Sequence, residues 1–230
     1  NSNHIEMIVF EDLGLIDYKK AWDYQKKVFN EVLECKKNPI NTQNINQKVL
    51  LCEHPHVYTL GKNGNLSNLL IDLNLIKNIN AEFYHIDRGG DITYHGPGQL
   101  VGYPIIDLEF FNIGIKKYIY LLEESIINTL KHFNINAERY KGATGVWLDP
   151  YTSNARKICA IGVKVSNFIT MHGFALNVNT DLNYFKYINP CGFTDKGVTS
   201  VEKELNTKIN IKEVINIFKK EFSKIFEALH

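Results

Sequence analysis

Long apolar runs are missing from this sequence. Val49-Leu50-Leu51-Cys52 is typical of the longest ones and spans only a few residues. A membrane-spanning helix needs ~18, so no transmembrane helix is encoded. Cysteine is scarce as well. Cys35, Cys52, Cys159 and Cys191 are the four in 230 residues, and none belongs to a CxxC pair. That excludes a disulfide scaffold, a zinc ribbon and a thioredoxin-like redox motif. Excess charge of one sign is also absent: 26 basic and 25 acidic residues leave a net charge of +1. No global field therefore advertises nucleic acid or an anionic membrane. What is present is apolar and aromatic, 44% and 12% of the chain. That is enough for a sizeable core at this length, and it excludes a disordered or collagen-like chain.

Periodicity predicts a mixed α/β domain over residues 1–230, with no repeat and no linker. Residues 5–10 read as a first strand. Tyr18, Ala21, Trp22, Gln25, Val28, Phe29, Val32 and Leu33 recur at helical spacing. The Asn-rich stretch 38–47 reads as a loop, and 48–53 and 57–60 as strands. Residues 82–106 read as strands broken by a Gly/Pro cluster. A helix is expected over 115–133, and strands over 145–148, 157–165 and 168–178. A last helix follows, capped by Asn210 with Glu213 three residues on. Strands that cluster without alternating strictly with helices favour a mixed sheet over a parallel one.

Two segments could carry chemistry. Residues 88–99, RGGDITYHGPGQ, pack four glycines and a proline beside an Arg, a Tyr and a His. Glycine permits positive φ and close backbone approach, so amides there can face a ligand; a plain pair of turns is the alternative. The pattern is neither a dinucleotide fingerprint nor a Walker loop. The second segment is Asn189-Pro190-Cys191-Gly192, where a thiol sits in a tight turn, while Cys52 and Cys159 have the apolar neighbours of core residues. A nucleophilic thiol needs its pKa of ~8.5 lowered by a cation or a helix N-terminus. Lys157, His172 and His95 are the candidate cations. Cys52, His54 and His56 alternate as C-x-H-x-H, a possible metal pattern, but Pro55 interrupts the strand and no fourth ligand is in register. No metal and no cofactor is expected.

Residues 88–108, RGGDITYHGPGQLVGYPIIDL, closely resemble the signature of the lipoyl(octanoyl) transferases, the family that moves octanoyl from acyl carrier protein onto lipoate-dependent proteins. Three more segments agree in order: CEHPHVYTLGKNG (52–64), GVWLDPYTSNARKICAIGVKV (145–165) and MHGFALNVNTDLNYFKYINPCGF (171–193). The resemblance runs from about residue 50 to 200. It implies a fold similar to the biotin and lipoate ligases, with helices flanking a mixed sheet. It also implies that Cys191 accepts the acyl group and Lys157 activates it. Arg88, Gly89, Gly90, Asp91, Ile92, Thr93, Tyr94 and His95 would form a substrate-binding loop. Ala160, Ile161, Gly162, Gly173, Phe174 and Ala175 would line the rest of that site. Octanoyl-acyl carrier protein is then the donor. The acceptors are lipoyl domains of 2-oxoacid dehydrogenase complexes and the glycine cleavage H protein, with no nucleic acid or membrane partner. The segment 149–155 looks longer than the family's usual turn, and 38–47 looks like an insertion.

Thioester exchange through a cysteine lets two protein partners visit in turn. Backbone amides near Gly162, Gly173 or Cys191 would have to hold the oxyanion, and Lys157 or His95 would take the proton of the acceptor lysine. An ATP-dependent lipoate or biotin ligase is the nearest rival, but it makes no use of a cysteine nucleophile. A catalytically silent acyl- or lipoyl-domain-binding protein would not need Lys157 and Cys191 together. Asn and Ile are each about a tenth of the chain, an AT-rich coding bias, and the first residue is Asn1. Both suggest an organellar protein, plastid or mitochondrial, with a removed leader; a bacterial cytoplasm is the alternative.

Overall fold

The computed structural model describes residues 8–38, 47–189 and 196–229. A large mixed sheet organises the chain. Its strands are β1 (Ile8–Leu15), β2 (Gln47–Glu53), β6 (Gln99–Ile105), β10 (Ile169–Asn177), β9 (Arg156–Ser166), β8 (Ala143–Leu148) and β7 (Glu138–Tyr140), in that spatial order. β1 and β2 are parallel, and the other neighbours along this path are antiparallel. A two-residue strand, β11 (Gly197–Val198), adds to β9 in parallel, with Val198 opposite Lys157. Beside it lies a small sheet of β3 (Val57–Leu60) between β4 (Glu82–His85) and β5 (Ile92–His95).

Each face of the large sheet has its own core. Along β2, Val49 and Leu51 point to one core and Leu50 and Cys52 to the other, the two-residue alternation of a strand covered on both sides. Helix α1 (Tyr18–Lys37) covers the Leu50 side. Asp17 caps it by accepting a hydrogen bond from the Lys20 amide, and Tyr18, Ala21, Gln25, Val28 and Val32 are buried at helical spacing. The Val49 side is covered by α2 (Ile115–Lys131) and α4 (Ile211–Glu227). Asn210 caps α4 through the Lys212 amide, and Phe218, Phe222 and Phe226 line its buried stripe. Phe222 stacks on Phe226 at 4.3 Å between ring centroids, and Phe218 meets Phe174 of β10 at 4.8 Å.

The fold class is the expected mixed α/β one, with several boundaries moved. The described part of β1 runs on to Leu15, because Gly14 at φ +63° lets the strand bulge past Asp12 instead of turning away. Gln47 belongs to β2, not to the preceding loop; residues 39–46 lie outside the described residues. The second helix stops at Lys131, two residues short. A five-residue helix, α3 (Val201–Leu205), had no readable signal.

Candidate functional site

The site is built where the chain after β4 lies down on the β9–β10 ladder. Gly173 pairs with Gly162 and Ala175 with Ala160, so four small residues form a shallow floor on one face. Their neighbours Ile161 and Phe174 point the other way, into the α2/α4 core. The loop rests on this floor. The Gly89 amide donates to the Val163 carbonyl at 2.9 Å, and a Cβ at Gly162 would stand 2.8 Å from the Gly89 oxygen. Only glycine at 162 lets the loop come so close.

The loop is tied down from its other side. The Arg88 guanidinium donates to the carbonyl and the hydroxyl of Thr59, both at 2.9 Å, and to the Gly89 carbonyl. The Lys62 amide donates to Arg88 O, and the Gly61 amide to Asp91 O. Asp91 accepts from the Asn68 side chain at 2.6 Å and from its neighbour Ile92. Gly90 at φ +90° makes the turn between these anchors. The arginine and the aspartate thus hold backbone in place around a cavity of about 570 Å³.

That cavity draws together most of the residues the sequence singled out. Arg88 to Thr93, His95, Lys157, Ala160 to Gly162 and Gly173 to Ala175 all border it. Tyr94 does not. Alternation along β5 turns Ile92 and Tyr94 into the core of the small sheet, where Tyr94 donates to or accepts from His56 Nδ1 at 2.6 Å and stacks on Tyr184. Thr93 and His95 border the cavity from the same strand. The same alternation was visible in the sequence. Cys191 lies outside the described residues.

Lys157 sits second in β9, between Trp147 of β8 and Val198 of β11. Its ammonium lies 4.9 Å from the centroid of the Trp147 ring. The Thr199 amide donates to the Lys157 carbonyl at 2.9 Å, so the chain that leaves residues 190–195 is bonded to the strand carrying this lysine. The longer 149–155 turn does not disturb it: Arg156 Nη1 donates to Asp149 at 2.6 Å, and Tyr151 stacks on Tyr140.

Sequence reasoning missed Tyr18, Gln99, Tyr103 and Asn177 as cavity-lining residues. Polar side chains within otherwise apolar strands were the available signal. Burial acts on both histidines of this wall. Burial, reinforced by neighbouring His54, pushes the His95 imidazole down to about 3. Burial likewise lowers His172, which donates from Nε2 to Asp87 at 2.8 Å. Asp87 is held ionised by His172 and by Lys164 at 2.6 Å. His172 Nδ1 is buried with no partner among the described residues, and its backbone sits at φ +57°.

The C-x-H-x-H pattern serves the core. His54 bonds to the Ile16 carbonyl and to the Tyr103 hydroxyl, each at 2.7 Å, while His56 stacks on Tyr184 at 4.1 Å. Among the described residues no group of three or more His, Cys, Asp or Glu side chains could hold a metal. Cys52 and Cys159 are buried, and burial pushes both thiols up, away from the thiolate a nucleophile needs.

Comparison with known proteins adds the following. The lipoyl protein ligase A/B catalytic domain family matches residues 17–223. An octanoyltransferase of Bacteroides fragilis is 54% identical over 203 residues, covering 88% of this chain and 90% of the relative. One of Cytophaga hutchinsonii is 51% identical, covering 99% and 96%. Among solved structures, the bipartite lipoate protein ligase of Thermoplasma acidophilum superimposes with a TM-score of 0.66 at 15% identity, over 96% of this chain and 83% of that one. The biotin protein ligase of Aquifex aeolicus gives 0.55 at 12% identity, over 96% and 71%. These two likenesses establish the shared fold.

Proposed function

The chain belongs to the lipoyl protein ligase A/B catalytic domain family and, like its curated relatives, is an octanoyltransferase; from that premise we propose a two-step transfer through Cys191. Octanoyl arrives as a thioester on acyl carrier protein and leaves as an amide on a lipoyl-domain lysine, of a 2-oxoacid dehydrogenase complex or of the glycine cleavage H protein. The whole 1–230 chain acts as one catalytic domain.

In the first step the Cys191 thiolate attacks the thioester carbonyl. A bond forms from Cys191 sulfur to the acyl carbon, the bond to the carrier sulfur breaks, and the departing sulfur takes the Lys157 proton. Exchange of one thioester for another is close to neutral in free energy, so no nucleotide is needed. In the second step the neutral amine of the acceptor lysine attacks. A C–N bond forms, the Cys191 C–S bond breaks, and Lys157 takes the proton from nitrogen, which restores the thiolate–ammonium pair. An ammonium within ~4 Å lowers a thiol pKa by one to two units, worth about 1.4–2.7 kcal/mol.

The observation that carries this reading is the pairing of Lys157 with Val198, seven residues after Cys191, at the wall of a cavity floored by small residues. The relatives named above are bacterial. The plastid or mitochondrial address suggested by composition finds no support, and a bacterial cytoplasm takes its place in the proposal.

Intact-protein mass after incubation with octanoyl-acyl carrier protein tests it. One octanoyl adduct is expected without ATP, mapped by peptide digestion to Cys191 and absent from Cys191→Ser. An adduct retained in Cys191→Ser, or an obligatory requirement for ATP, would overturn the covalent route.

A further inference from the structure

A chain of buried polar side chains crosses the sheet and ends at His95. Its direction is fixed at every link. Asn177 Nδ2 donates to the Thr199 carbonyl at 3.1 Å, and a carbonyl can only accept. Asn177 Oδ1 therefore faces Gln99, whose Nε2 donates to it at 3.0 Å and also to the Tyr94 carbonyl at 3.0 Å. That leaves Gln99 Oε1 toward His95 Nδ1 at 2.7 Å, again as an acceptor. Nδ1 must then carry the imidazole proton. Asn177, Gln99, Thr199 and His95 are all buried, so water cannot scramble the order. Burial also keeps the ring neutral at working pH.

With Nδ1 committed, Nε2 is the remaining polar atom of a ring that borders the cavity, and among the described residues its lone pair has no hydrogen-bond partner. We propose that His95 Nε2 is a fixed hydrogen-bond acceptor for an N–H of the incoming lysine amine, aligning its lone pair on the acyl carbon; this rests on the two-step reading above. The group is too weak a base to take the proton itself, which leaves that to Lys157. A neutral imidazole close to the Arg88 charge also favours the free amine over an ammonium. The relay begins at Thr199, whose amide binds the Lys157 carbonyl, so the acceptor and the lysine are held by one bonded framework.

Two measurements test this. Two-bond proton–nitrogen spectra of the wild-type protein with labelled histidines, at neutral pH, should show His95 as the Nδ1–H tautomer. An Nε2–H tautomer or an imidazolium would overturn the proposal without any variant being made. Single-turnover kinetics then separate the two steps in His95→Leu, which removes the acceptor, and His95→Gln, which offers a new oxygen. Loss of one hydrogen bond predicts roughly tenfold slower release of octanoyl to the lipoyl-domain lysine in His95→Leu. Part of that should return in His95→Gln, with return of octanoyl to the carrier thiol, which has no N–H at the attacking atom, far less affected. Equal slowing of both steps, slowing confined to acyl-enzyme formation, or an unchanged second step would each overturn it. Failure to form any octanoyl-enzyme in the wild type would instead remove the covalent reading beneath it.

Discussion

The β9–β10 ladder has two faces with opposite compositions. On one, Ile161, Val163, Phe174 and Leu176 pack against α2 and α4. On the other, the small residues Ala160, Gly162, Gly173 and Ala175 let a glycine loop approach the strands, with Gly89 bonded to Val163. The same two strands thus supply packing energy on one side and room for a ligand on the other. Bulk on the first side and its absence on the second are equally specific, because a methyl group is an error on only one of them.

Substitutions should separate the faces cleanly. Gly162→Val places a side chain against the Gly89 carbonyl, so the loop must lift. Octanoyl transfer is expected to fall by roughly a hundredfold or more, corresponding to about 3 kcal/mol, with the circular dichroism spectrum retained. Gly114→Ala, where an added Cβ meets nothing within 4 Å, should transfer at the wild-type rate. On the packed side, Phe222→Ala removes a fully buried ring and should cost about 3–5 kcal/mol in urea unfolding, with the rate per folded molecule preserved. Transfer at the normal rate in Gly162→Val would detach the loop from the site.

A smaller effect comes from the protons of buried histidines. His54 is pushed down to about 4 and His95 to about 3, both by burial. Their folded pKa values lie below the unfolded value of ~6.5. Below that pH the unfolded chain binds protons that the folded chain refuses, so stability present at pH 7 is lost as pH falls toward 4. Each histidine should contribute a slope of about 1 kcal/mol per pH unit, read from urea midpoints between pH 6.5 and 5. His95→Gln should flatten the slope in part, because burial also lowers His54, His56 and His172. A flat profile in the wild type would mean that these rings are solvated.

The legible parts of the sequence were those in which one local rule decides. Asn210 followed by the spacing of Val214, Phe218, Phe222 and Phe226 specifies a capped, one-sided helix, and it is one. Tyr18 to Val32 does the same for α1. The glycine loop and the small-residue strands could be named as one site only through family resemblance, since Gly89 and Gly162 lie far apart in sequence and nothing local says that one rests on the other. Arg88 enters the substrate-binding loop only through the resemblance, and its guanidinium donates to Thr59 and to Gly89; the fold alone brings Thr59 to it. Gln99 looked like the tail of a turn motif and instead fixes a histidine tautomer through Asn177, 78 residues away.

The proposed pairing of Lys157 with Cys191 is tested most directly by alkylation. Iodoacetamide modification of Cys191, followed across pH by peptide mass spectrometry, reads the thiol pKa in wild type, Lys157→Ala and Lys157→Arg. The expected result is a rise of about one to two pH units in Lys157→Ala, toward ~8.5. Lys157→Arg should keep reactivity at neutral pH yet lose most transfer to the lipoyl-domain lysine, because a guanidinium holds the charge and cannot cycle a proton. An alkylation profile in Lys157→Ala that overlays the wild type would contradict activation by this lysine.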